Sequence, residues 1–199
     1  MERKEQIIQV TLKLAAKYGL SNVSMALIAK ELGIQKPSLY NHFKSKEEII
    51  MEMYRYLKDK SKEKLAINEI EYSNLIKSKS LKEIITFLVN NYYKISTQEE
   101  MLTFYKIIYS ERTTNNEAAN IMIEETNKMI LATKHLFYAL KIHNKIFTTD
   151  IDMLATSFAM SIHAMMDYQM DSEKTNINST PNMLNSYIDW FCNQFGKAN

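Results

Sequence analysis

The first hydrophobic stripe in the chain is Ile7, Val10, Thr11, Leu14 and Tyr18, spaced at the 3.6-residue period of one helix face. Gly19 follows as a left-handed cap, so the helix should end there. Ser24 can cap a second, short helix whose Met25, Ile28, Ala29 and Leu32 share a face, and Gly33 stops it in turn. Pro37 suits the first position of a third helix, where its missing N–H costs nothing and its φ is already helical. Ser45, followed three residues later by Glu48, forms a capping box. It opens a fourth helix through Ile49, Ile50, Met53, Tyr54 and Leu57, drawn to residue 70. A polar connector at 73–80 leads to amphipathic runs at 81–97, 99–112, 116–143 and 150–171. The segment 174–182 reads as a loop, and Pro181 leads into a last helix through Phe195 with Gly196 as its stop. The pattern predicts an all-α chain of about nine helices.

Composition agrees with this reading: three glycines and two prolines in 199 residues leave few helix breakers, and 46% hydrophobic content supports a real core. No stretch approaches the roughly 20 apolar residues of a membrane span, and MERKEQ lacks the apolar segment of a signal peptide. The expectation is a cytoplasmic protein. The single cysteine, Cys192, excludes an internal disulfide or a cysteine-based zinc site. Charge is uneven: residues 1–46 hold eight bases and three acids, a net +5 within a chain of +2, so the remainder carries −3. A basic head on a mildly acidic body points to a polyanion-binding module joined to a part with another task.

Two short helices joined by a glycine-containing turn, the second opened by proline, outline a helix-turn-helix. Leu39 and Phe43 lie one turn apart and point inward, which turns Pro37, Ser38 and Asn41 outward and leaves Tyr40 and His42 on the flanks. A small polar face with rings and bases at its margins suits a helix entering a major groove while its edges meet phosphates. Lys46 and the N–H groups opening the fourth helix add a second anion site. The bland alternative is a three-helix cluster with Tyr40 half in the core and His42 an ordinary surface residue.

The run GLSNVSMALIAKELGIQKPSLYNHFKSKEEII resembles the DNA-binding head of the tetracycline repressor (TetR) family of bacterial transcription regulators. The likeness combines the glycine after the first helix, the Ser-Met start of the second, the IAKELGI turn, and LYNHFKSKEE running into the fourth helix. It implies a helix-turn-helix DNA-binding domain over 1–46 and a helical ligand-binding and dimerisation domain over 47–199. Ser24, Tyr40 and Lys46 are then expected on phosphates, and Lys36, Pro37, Ser38 and His42 on bases or adjacent backbone. A lysine at position 36 suggests a guanine contact. Pro37 stands where the family more often has glycine or alanine.

Such a short reading helix grips few bases alone, so a symmetric homodimer on a palindromic double-stranded operator is expected. The last two helices are expected to pair with their copies, through Leu154, Phe158, Ile162 and Met165 on one and Leu184, Tyr187, Ile188 and Phe191 on the other, with Met183 and Trp190 widening the apolar surface. The alternative is that both helices complete the monomer core. Rings and thioethers at Phe87, Tyr92, Phe104, Tyr105, Tyr109, Met122, Phe137, Phe158, His163 and Met166 are candidates for a small-molecule effector pocket, against the reading that each packs the core. Occupancy would move the fourth helix and release a repressor from DNA.

His163 and Asp167 sit four apart and could share a metal, but two ligands make a weak signal beside a histidine satisfied by a carboxylate. No GxSxG or phosphate-cradling glycine loop occurs, so no cofactor and no enzymatic activity are expected. The rival class is a helical protein-interaction or small-molecule-binding module without DNA binding.

Overall fold

The computed structural model describes residues 3–65, 69–175 and 183–197. Among the described residues there are ten α-helices and no strand: α1 Arg3–Tyr18, α2 Met25–Glu31, α3 Lys36–Tyr40, α4 Lys46–Leu65, α5 Glu69–Ser78, α6 Leu81–Ser96, α7 Glu99–Glu111, α8 Asn116–Ile142, α9 Ile151–Thr175 and α10 Met183–Phe195. A single 3₁₀ turn, Leu20–Asn22, links α1 to α2. The all-α expectation holds, and no helix is long and apolar enough to cross a membrane among the described residues.

Helix ends follow from local chemistry. Ser24 caps α2 by accepting the Leu27 amide at 3.2 Å. At its other end Gly33 takes φ +64°, while the Ile34 amide donates to the Ala29 carbonyl and the Gly33 amide to that of Lys30. That pair of bonds is a Schellman closure, which satisfies carbonyls the helix would otherwise leave unpaired. Asn144 repeats the device after α8 at φ +53°, with Lys145 donating to Leu140 and Asn144 to Lys141. The serine half of the α4 capping box forms, the Glu48 amide donating to the Ser45 hydroxyl at 3.2 Å, while the Glu48 carboxylate accepts the amide of Lys44, one residue before the cap, at 2.6 Å.

Three expectations need correction. Most of the supposed connector at 73–80 is helix, because α5 runs to Ser78 and only Lys79 and Ser80 break the path to α6. Pro37 is the second residue of α3, since Gln35 caps the helix and Lys36 opens it. Helix α9 continues to Thr175, past the boundary at 171. The rest of the loop at 174–182, including Pro181, lies outside the described residues.

The chain forms two compact units, Met1–Ala66 with Ile95–Glu124 and Ile67–Lys94 with Glu125–Asn199, so α8 contributes to both. In the first, α1 packs against α2, α4 and α7 around Ile7, Leu14, Ile28, Leu39, Phe43, Met53 and Phe104. The second is built round a ring cluster in which Phe158 lies 5.2 Å from Phe137 and 4.6 Å from Phe191 between centroids.

Candidate nucleic-acid interface

Helix α3 is five residues long, far too short to be stable by itself. It is held by Leu39, which is 0% exposed in the first core, and by Phe43, which follows in a turn whose amide donates to the Leu39 carbonyl. Fixing those two inward commits the neighbouring positions: Lys36, Pro37, Ser38, Tyr40 and Asn41 are all exposed, and His42 is half-buried. The predicted outward face therefore exists. Its polar surface is small in side-chain volume, as close approach to base edges requires.

Cations and hydroxyls flank this face. The Lys36 ammonium stands 5.9 Å from the Tyr40 ring centroid, one turn along the same helix, so the charge and the exposed ring share one margin of the face. Ser24 uses an oxygen lone pair to cap α2, and the proton of an exposed serine hydroxyl can be given to a phosphate. The half-buried Lys46 ammonium donates to the Ser21 carbonyl at 3.4 Å, which holds it against the turn between α1 and α2. The second anion site expected at the amides opening α4 is already in use: Glu48 N–H bonds Ser45, and hydrogen bonding to the backbone, helped by Ser45, lowers the Glu47 carboxyl from its ordinary value. Lys46 is thus the attractive group of that corner, not the helix terminus.

Gln35 was missed. It caps α3 by position but makes no side-chain capping bond, and it is exposed next to Lys36. An amide there can read adenine through two hydrogen bonds. The signal was available in the sequence, as the residue two before a proline near a helix start.

The remaining candidates are placed as follows. Phe158, Ile162, Leu184, Ile188 and Phe191 are buried in the core of the second unit, with Leu154, Met165 and Tyr187 packed half-buried against it. The stripe assigned to pairing therefore faces the chain's own interior, because a helix buries its most apolar face first. What α9 and α10 leave outside is a second stripe: Met153, Ser157, Met160, Ala164 and Tyr168 on one, Met183, Ser186 and Trp190 on the other. The effector candidates divide between the cores. Phe104 and Met122 are buried in the first unit with Tyr105 and Tyr109 packed against them. Phe137, Phe158 and Met166 are buried in the second, with Tyr92 against them. Phe87 is exposed and His163 half-buried, its Nε2 3.9 Å from the Asp167 carboxylate. No cluster of three metal-ligating side chains occurs among the described residues.

Comparison with known proteins agrees with this geometry. The pattern of the family described as bacterial regulatory proteins, tetR family, matches residues 7–53, the span that builds the outward face. YerO of Bacillus subtilis, an HTH-type transcriptional regulator, is 42% identical over 55 residues, which are 28% of this chain and 19% of that one. AcrR of Shigella flexneri is 24% identical over 145 residues, 69% of this chain and 66% of its own. QacR of Staphylococcus aureus is 22% identical over 197 residues, 99% of this chain and 100% of its own. The chain thus spans less than two thirds of the first two relatives and the full length of the third. A protein from Saccharomonospora viridis, described as a transcriptional regulator and solved in complex with choline, shares the fold with a TM-score of 0.70 at 16% identity over 98% of each chain. A TetR-family regulator from Marinobacter aquaeolei does so with a TM-score of 0.60 at 20% identity, over 88% of this chain and 81% of that one.

Fold and face together outline a helix-turn-helix, the architecture of DNA-reading domains. Residues 7–53 carry the pattern of the tetR family of bacterial regulatory proteins, and the relatives AcrR and QacR are HTH-type transcriptional regulators.

Proposed function

We propose that this protein is a repressor that binds a palindromic operator as a homodimer and is released by a small, largely apolar or aromatic ligand. The observation that carries the DNA half is the complete burial of Leu39 beneath exposed Ser38 and Asn41. A helix so anchored can present only its polar side to a groove. Residues 1–46 form the reading module, with Lys36, Pro37, Ser38, Asn41 and His42 toward bases and Ser24, Tyr40 and Lys46 toward phosphates. Residues 47–199 supply pairing and effector binding. Pairing runs through the outward stripe of α9 and α10, where Met160 is 47% and Trp190 51% exposed. Apolar surface of that kind left open on a monomer favours association.

Among the effector candidates, Tyr105 and Tyr109 in the first unit and, separately, Phe87, Tyr92 and His163 in the second are not fully buried, while Phe137 and Phe158 already pack on one another. The Saccharomonospora viridis neighbour holds choline, a cation that aromatic rings attract, which supports a guest of that chemistry. Selection of bound duplexes from a random pool tests the reading. It should recover an inverted repeat, with affinity falling about 10³- to 10⁵-fold between 50 and 200 mM salt for six to ten phosphate contacts. Recovery of no common sequence, or binding indifferent to salt, would overturn it.

A further inference from the structure

A cleft of about 540 Å³ opens within the first unit, between α1, α4 and the start of α7. Its floor is apolar: Leu57, Met101 and Phe104 reach it from the core, each no more than 3% exposed. Among the described residues its charged lining is Lys13 and Lys17 from α1, Lys60 from α4 and the carboxylate Glu99. Two ties hold the walls. The Gln9 amide donates to the Tyr56 hydroxyl at 2.7 Å between α1 and α4, and the Lys106 ammonium of α7 donates to the Ala16 carbonyl of α1.

Volumes of this size accept small molecules, and each part of the lining selects for one property. A floor of core side chains favours an apolar group, by removing its surface from water. Lysines on two walls, with Lys13 and Lys17 both exposed on α1, favour a negative charge at the mouth and repel a positive one. We propose that this cleft binds an amphipathic anion, a carboxylate or phosphate carried on an apolar chain or ring. Of the effector candidates, Phe104 lines this cleft. The site is otherwise separate from the effector residues, and the proposal does not rest on them. An occupant touches α1 and α4 at once, so it steadies the frame on which α3 is carried.

Calorimetric titration of the full chain, without DNA, tests the site independently of operator binding. The probes are decanoate and decyl phosphate, each below micelle-forming concentrations, beside uncharged decanol and decyltrimethylammonium. One site per chain is expected, with both anions bound at least about tenfold more tightly than the neutral and cationic probes, the effect of several weak exposed charge contacts. The triple variant Lys13→Gln, Lys17→Gln, Lys60→Gln should lose about tenfold for the anions and leave decanol unchanged. Ala16→Trp, which fills the cleft, should abolish binding of all four. Both variants are compared with the parent by thermal melting, and the lysine variant, altered only at the rim, keeps the test open if the tryptophan one fails to fold. Anion binding undiminished in the lysine variant, a preference for decanol or the cation, or no binding of either anion would overturn the proposal.

Discussion

The Gln9 side-chain amide donates to the Tyr56 hydroxyl over 2.7 Å, joining the first helix to the fourth across 47 residues of sequence. One hydrogen bond of this kind contributes about 1 kcal/mol. Tyr56→Phe and Gln9→Ala should each lower unfolding stability by about that amount, while the double variant loses less than the sum. Urea titration of the four proteins checks the coupling; strictly additive losses would show that the bond carries none.

Lys46 and Lys36 should separate by role. Removing Lys46 as Ala is expected to weaken every duplex alike and to flatten the salt slope by about one unit per half-site. Lys36→Ala should also change which sequence is preferred. Titrations of two operators and one scrambled duplex at several salt concentrations distinguish the two; equal effects of both variants on all three duplexes would refute the division.

Pairing through the outward stripe makes a prediction for mass in solution. Trp190→Lys combined with Met160→Lys puts charges where an apolar surface is to be covered. Sedimentation should then report monomer where the parent sediments as dimer. Dimer persisting in the double variant would move the interface elsewhere.

Burial of Tyr54 leaves its hydroxyl without a hydrogen-bond partner, and burial, with Glu111 and Glu117 nearby, raises its pKa above the ordinary value. Such a group costs about 1–3 kcal/mol, which its deletion returns in part. Tyr54→Phe should therefore raise the melting temperature; a fall would mean that the hydroxyl is paired in solution.

Acid sensitivity follows from Glu83. Hydrogen bonds from the Ser80 amide and hydroxyl, and from Lys79, lower its carboxyl from 4.5 to about 2. The ionised form is thus the one the fold prefers. Its stabilising contribution is complete above about pH 4.5 and is lost as pH falls toward 2. Melting of the parent and of Glu83→Gln should differ at pH 6 and converge by pH 2; a constant gap would exclude this carboxylate as the cause.

Much of this fold was legible because its ends are written in residues with few alternatives. Gly33 and Ser24 bracket α2, and the Ser45 and Glu48 pair opens α4, each by chemistry that acts within a few positions. The outward face of α3 was legible for the same reason, since the inward pair Leu39 and Phe43 leaves its neighbours no other side. Helix α5 was hidden because its polar residues mimic a connector, and helix propensity is a weak signal beside tertiary contacts. The stripe expected to pair lies in the chain's own core, since Leu184, Ile188 and Phe191 form the stronger stripe of α10, and periodicity tells which residues share a side but not what covers it. The cleft was invisible too: Lys13, Lys60 and Met101 are brought together from three helices, and no local pattern records such a meeting.

A probe of five residues has no stiffness of its own, and α3 takes its aim from Leu39 and Phe43 below it. Loosening either one tilts Ser38 and Asn41 as a pair. Warming, or a small void opened beneath that pair, would then blur the choice between near-identical operators while the molecule as a whole was still native, so fidelity is surrendered before shape.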